Sequence, residues 1–164
     1  MAGITETKTT DTANHLRYDY NVDDIFLDFP TKQVTKTIVN GTASERVIAA
    51  GTLVGITTAD QTIVDAVKSD GSDGTEVPYG IVLYDYTIAA GASEEVEALI
   101  GINGSIFEDK VVLEGSSETL DTVITTSGSI VEGQSIKNAL MNSNANIKLI
   151  PAATNVSDYK DAQV

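Results

Sequence analysis

The 164-residue chain contains no cysteine and no tryptophan, one histidine (His15) and three prolines. Without thiols there can be no disulfide framework, thiolate metal site or cysteine nucleophile, so stability has to come from packing or from association with further copies. One histidine in a polar stretch supplies neither a histidine-based catalytic array nor the clustered ligands of a cupin-type metal enzyme. Basic residues are scarce as well: ten Lys and Arg stand against 24 Asp and Glu, a formal net charge of −14. That balance repels phosphate backbones and anionic lipid, and it excludes nucleic-acid and membrane-surface partners. No apolar run approaches the roughly 20 residues needed to span a bilayer. The stretch from Met1 to Asp11 has neither the basic region nor the hydrophobic segment of a secretory signal, so neither secretion by such a signal nor anchoring is expected. Gly101 and Gly104 lack the spacing of a phosphate-binding loop or a nucleophile elbow. The expectation is a protein that is not an enzyme, with no catalytic residues, no cofactor and no metal.

What is present favours strands. Hydrophobic residues make up 41% of the chain and aromatics only 5%, so the apolar set is mostly Val, Ile, Ala and Leu. The length suits one core. Met1 to Asn14 is polar apart from Ile4 and cannot bury enough surface to offset its own ordering. Tyr18, Tyr20 and Val22 then alternate, and Ile25, Leu27 and Phe29 alternate with Phe26 and Asp28 before Pro30. Val34 to Val39 is a further strand, stopped by the turn dipeptide Asn40-Gly41. Beyond Arg46 the candidate strands are Val47 to Ala50, Leu53 to Thr57, Thr62 to Val67, Tyr79 to Ile88 and Val96 to Ile102. Turn signals at Ala50-Gly51, Asp70 to Gly74, Ala90 to Ala92 and Asn103-Gly104 separate them. Strands are expected to continue from Ser105 to Val131. One helix is predicted over Ser135 to Asn142, with Ser135 as N-cap and Ile136, Ala139 and Leu140 on its apolar face. Ile147 to Ile150 is a closing strand. The expected organisation is an extended arm over residues 1–45, a β-rich domain over 46–150 and a polar tail over 151–164.

Four pieces in order carry a family likeness. They are Ala49-Ala50-Gly51-Thr52-Leu53-Val54-Gly55, Asp73 to Leu83, Val96-Glu97-Ala98-Leu99-Ile100 leading to Gly104, and Ile136 to Leu140 followed by Ile147 to Ile150. In this order, over roughly two thirds of the chain, they resemble the lambda-type bacteriophage head decoration family. The resemblance implies a mostly β fold of the β-clip or β-tulip type with an N-terminal arm; this chain's own residues add the one short C-terminal helix and make the extended arm long. It implies a homotrimer that binds the major capsid protein on the outer surface of an expanded phage head and stabilises the shell against internal DNA pressure. The protein would be made in the host cytoplasm and reside in the virion. The arm before Ala49 would order against the capsid, with Tyr18, Tyr20, Ile25, Phe26, Leu27 and Phe29 as its capsid-binding residues. An alternating segment of this kind can add as a strand to an exposed sheet edge. The chain departs from the family in the length of the arm and in an expanded stretch from Glu108 to Gln134.

Other motifs have plainer readings. Asp70, Asp73 and Glu76 around Gly71 and Gly74 suggest an oxygen-ligand loop, but the spacing fails the EF-hand pattern and a solvated turn is the expectation. Glu94, Glu95 and Glu97 read as the polar start of a strand. Asn40-Gly41-Thr42, Asn103-Gly104-Ser105 and Asn155-Val156-Ser157 match the glycosylation acceptor pattern and read as turns. Tyr84 and Tyr86, placed on one face of a single strand, would be core edge, trimer contact or ligand platform. The alternative function is a virion-surface adhesion or glycan-binding β-module, which a side-chain-rich groove in place of an arm would mark.

Overall fold

A computed structural model describes residues 25–114, 117–143 and 146–151. They form a predominantly β-sheet domain with a single α-helix among them. The strands are β1 (Phe26–Asp28), β2 (Gln33–Val39), β3 (Arg46–Ile48), β4 (Leu53–Ile56), β5 (Val64–Ala66), β6 (Pro78–Val82), β7 (Tyr86–Ile88), β8 (Glu95–Gly101), β9 (Gly104–Phe107) and β10 (Ile147–Ile150). The helix α1 spans Ile136–Ser143.

The central sheet has the order β2-β8-β6-β4-β5, with every pairing antiparallel. Its inner strands β4 and β6 are buried on both faces, and the period of two along a strand sends alternate side chains to opposite sides. Leu53 and Ile81 enter one apolar cluster, while their neighbours Val54 and Val82 enter the other. A sheet covered on both sides needs continuous apolar strands in place of alternation, and β4 and β6 have that composition. One cover is the small sheet β3-β7, with Ile48 and Ile88 facing inward. The other is built from α1 and the sheet β1-β9-β10, which supply Ile136, Ala139, Leu140, Phe26, Ile106 and Ile147. The central sheet is not closed into a barrel; one bridge, Thr37 to Ile63, links its outermost strands.

The helix begins as its sequence dictates. Ser135 Oγ accepts from the Asn138 N–H at 3.3 Å, and Ile136, Ala139 and Leu140 are all fully buried. At the Asn103-Gly104 turn, Gly104 has φ +118°, and a Cβ there would lie 2.7 Å from the Asp28 carbonyl oxygen, so only glycine joins β8 to β9 in this way.

Three expectations need correction. The boundary at residue 45 does not hold for residues 26–39: β2 pairs with β8 along its whole length, from Gln33 opposite Gly101 to Val39 opposite Glu95, and Ile38 is 1% exposed. A seven-residue ladder with a buried isoleucine belongs to the domain and not to a free arm. The segment Tyr79 to Ile88 is two strands in different sheets, because the chain turns at Leu83 to Asp85 and the Asp85 carboxylate accepts from the Ala50 N–H at 2.7 Å. Tyr84 and Tyr86 therefore pack against different clusters. The continued strands expected from Ser105 to Val131 reduce to β9. Past β9 the described chain forms a 3-10 turn at Glu108–Lys110 and then runs irregularly, with isolated bridges at Val112 and Val123.

Arg46 ties separate segments together. Its Nε and Nη2 donate to the Glu114 carboxylate at 2.9 and 2.7 Å, its Nη1 donates to the Val39 carbonyl at 2.7 Å, and Nη2 also pairs with Asp65. The Glu114 hydrogen bond, together with Asp65, raises the guanidinium above its ordinary pKa against the opposing effect of burial.

Truncating Leu140 to Ala removes buried volume between α1 and the central sheet. The expected loss is about 2–5 kcal/mol in urea unfolding, whereas Leu27→Ala, at an exposed position, is expected to change stability by less than about 0.5 kcal/mol.

Candidate functional site

The six residues expected to bind the capsid fall into two groups. Tyr18 and Tyr20 lie outside the described residues. Ile25, Phe26, Leu27 and Phe29 surround β1, which is the outermost strand of its sheet among the described residues, with β9 as its partner. Alternation along the sequence would put Ile25, Leu27 and Phe29 on one face and Phe26 on the other. Instead Ile25 and Phe26 are buried, at 8% and 5% exposure, while Leu27 is 60% and Phe29 45% exposed.

A β-bulge explains the difference. Phe26 sits opposite Ile106 and Asp28 opposite Ser105, so three residues of β1 face two of β9, with Leu27 as the extra one. The bulge turns Phe26 into the core beside Ile106 and leaves Leu27 outside the ladder. Asp28 is held in place, its Oδ2 accepting from the Ser105 hydroxyl at 2.9 Å. Pro30 is buried, and the Phe29 ring meets the edge of Phe26 with centroids 6.3 Å apart at an interplanar angle of 85°. The outcome is a small exposed apolar surface, Leu27 and Phe29, at the start of the described residues. It carries no nucleophile, acid–base pair or ligand set, and what it can do is make contact.

The acidic loop is occupied by its own backbone. Asp73 Oδ1 accepts from the Thr75 hydroxyl and N–H at 2.6 and 3.2 Å, and Glu76 Oε2 accepts from the Gly74 N–H at 3.0 Å. Gly74 takes φ +99°, a conformation that glycine permits. Burial pushes the Asp73 carboxyl up, but the hydrogen bonds from Thr75 and the charge of Lys68 outweigh it and leave the pKa below its ordinary value. Among the described residues no group of three or more His, Cys, Asp or Glu side chains is gathered to hold a metal ion. Asn40 is buried, and its Nδ2 donates to the carbonyls of Ser44 and Ala89 at 2.7 Å, so it serves as the brace of a turn. A cavity of about 630 Å³ beside Arg46, bordered by Thr42, Val47, Asp65 and Lys68, holds the charged cluster described above.

One feature escaped sequence reasoning. Ile130 is 82% exposed on a turn beside an apolar groove of about 690 Å³ lined by Ile56, Val77, Pro78 and Tyr79. The available signal was its isolation between Ser127-Gly128-Ser129 and Glu132-Gly133, which marks a loop and not a strand.

The Asp73 hydrogen bonds imply a pH dependence. A carboxylate whose folded pKa is lowered contributes stability above its unfolded pKa, near 4, and loses it as pH falls through the lower folded value. Asp73→Asn is therefore expected to cost about 0.5–1 kcal/mol at neutral pH, in keeping with a solvent-screened site, and the gap from the parent protein should close below that window. Urea unfolding at several pH values reads this directly; parallel pH profiles for parent and variant would contradict it. Compared with known proteins, the chain matches no protein-family model, no curated protein and no solved structure.

Proposed function

We propose that this chain is a capsid decoration protein, a cement that binds the outside of an expanded phage head and performs no chemistry. On this reading the β-sheet domain is of the β-clip or β-tulip kind, assembles as a homotrimer, and contacts the major capsid protein without binding nucleic acid or membrane directly. The observation that carries it is the exposed pair Leu27 and Phe29, Leu27 turned out of the ladder by the bulge in β1, which is the outermost strand of its sheet among the described residues. Exposed apolar side chains held by the core beneath them are preorganised contacts, and burying them against a partner costs little conformational entropy.

The leader, residues 1–24, supplies reach. Fully extended, 24 residues span at most about 80 Å, enough to cross onto a neighbouring capsid subunit. Its alternating Tyr18, Tyr20 and Val22 suit addition to an edge of a capsid sheet. β1 itself is short, bulged and carries Asp28, features that discourage strand addition, so Leu27 and Phe29 act as a side-chain contact beside the added strand. Three such attachments per trimer make the second and third contacts intramolecular, and modest single contacts then give slow dissociation. Stabilisation of the shell comes from binding the expanded form better than the unexpanded one.

Cosedimentation with expanded, undecorated heads of the cognate capsid protein tests this. The full chain is expected in the pellet, and deletion of residues 1–24, which leaves every described strand in place, should weaken binding at least about tenfold. Leu27→Asp should weaken it by a similar factor with unchanged thermal unfolding. Undiminished pelleting of both variants, or no pelleting of the full chain, would overturn the proposal.

A further inference from the structure

We propose that Asn103 is the site at which the folded chain deamidates, and that the reaction there lengthens the turn that seats β1. Asn-Gly occurs twice in the chain, at Asn40-Gly41 and Asn103-Gly104. A glycine after asparagine carries no Cβ to shield its backbone nitrogen, so the chain itself can attack the side-chain amide. The Gly104 nitrogen, after giving its proton to hydroxide, forms a bond to Asn103 Cγ. The Cγ–Nδ2 bond then breaks, and Nδ2 leaves as ammonia with a proton taken from water. A second water opens the resulting cyclic imide at either carbonyl, giving aspartate or isoaspartate; in isoaspartate the backbone runs through the former side chain.

The structure separates the two sites. Asn40 is 3% exposed and its amide is held on every side: Nδ2 donates to the Ser44 and Ala89 carbonyls at 2.7 Å, and Oδ1 accepts from the Thr42 hydroxyl at 2.7 Å and the Thr42 N–H at 3.3 Å. Attack there requires breaking these bonds away from water, which leaves buried polar groups unpaired. Asn103 is only half-buried. Its Oδ1 accepts from the Lys32 N–H at 2.8 Å and its Nδ2 donates to the Thr31 hydroxyl at 2.9 Å. Both partners belong to exposed residues, so water replaces either bond at small cost. The attacking Gly104 N–H donates to the Asn146 carbonyl at 3.0 Å, at the point where β9 and β10 begin. A bond at the end of a ladder opens without unfolding of the domain, and fraying frees the nitrogen.

The product matters because the turn has no spare room. A Cβ on Gly104 would lie 2.7 Å from the Asp28 carbonyl oxygen, and one on Gly101 would lie 2.7 Å from Pro30 Cγ. Isoaspartate puts an extra methylene into the backbone between these two glycines, where Asp28 and Pro30 rest on the turn. The added atom drives Gly104 against the Asp28 carbonyl and loosens the three-residue strand β1 from β9. None of this depends on the function proposed above.

The test holds the full-length protein in mildly alkaline buffer, folded and in urea, and follows both sites by peptide mass spectrometry with electron-transfer fragmentation, which tells isoaspartate from aspartate. In the folded protein Asn103 is expected to convert at least about tenfold faster than Asn40, and in urea the two rates should come together. The converted protein, separated by ion exchange through its added negative charge, should exchange the amides of Phe26 to Asp28 at least about tenfold faster, with Gln33 to Val39 unchanged. Asn103→Gln, whose longer side chain closes an imide ring far more slowly, should keep its exchange pattern over the same time. The inference is overturned if Asn40 converts as fast as Asn103 in the folded protein. It is equally overturned if folded Asn103 stays intact while the urea-treated chain converts, or if β1 in the converted protein exchanges as in fresh protein. The parent protein alone decides between these outcomes, whether or not the variant folds.

Discussion

The arrangement on which the rest depends is the pairing of β9 on both sides. Gly104 to Phe107 takes β1 as an antiparallel partner on one edge and β10 as a parallel partner on the other. Segments more than a hundred residues apart are thereby joined through one internal strand, whose Ile106 is fully buried. Both ends of the described chain are fastened to the same small sheet, and that sheet with α1 covers one face of the central sheet. The bulge in β1 exists because Phe26 must reach Ile106 while Asp28 reaches the Ser105 hydroxyl; one extra residue has to leave the ladder, and Leu27 is that residue.

The central sheet explains why so many strands could be read directly. Where both faces are buried, β propensity, apolar content and turn signals coincide, as at Leu53 to Ile56 and Pro78 to Val82. The helix was legible because its cap, apolar spacing and length agree, and β10 because a short apolar run comes after a polar turn. Local sequence was a poorer guide where a tertiary partner decides. Nothing near Tyr84 announces that Asp85 will hold the Ala50 N–H and split one long run into two strands. Arg46 gives no sign in sequence that Asp65 and Glu114 will surround it.

The same distinction governs the candidate site. The alternation from Ile25 to Phe29 located an apolar strand correctly, yet it could not reveal which side chains face outward, because a bulge shifts the faces by one residue and is set by the partner strand. It also placed the strands of residues 26–39 in an arm, since a strand waiting for another protein and a strand waiting for β8 have the same composition. Ile130 was hidden for the opposite reason: a single isoleucine in a turn has no periodicity, and its exposure emerges only from the backbone hydrogen bonds that close its loop.

Amide hydrogen exchange of the full-length protein, free and bound to expanded heads, tests the proposed engagement of an external shell by Leu27, Phe29 and the residues before them. Gln33 to Val39 and the short β1 ladder of Phe26 to Asp28 are expected to be protected in both states, because their pairings with β8 and β9 are internal, and residues 18–24 are expected to gain protection only on heads. Identical exchange of residues 18–24 with and without heads would contradict the proposal.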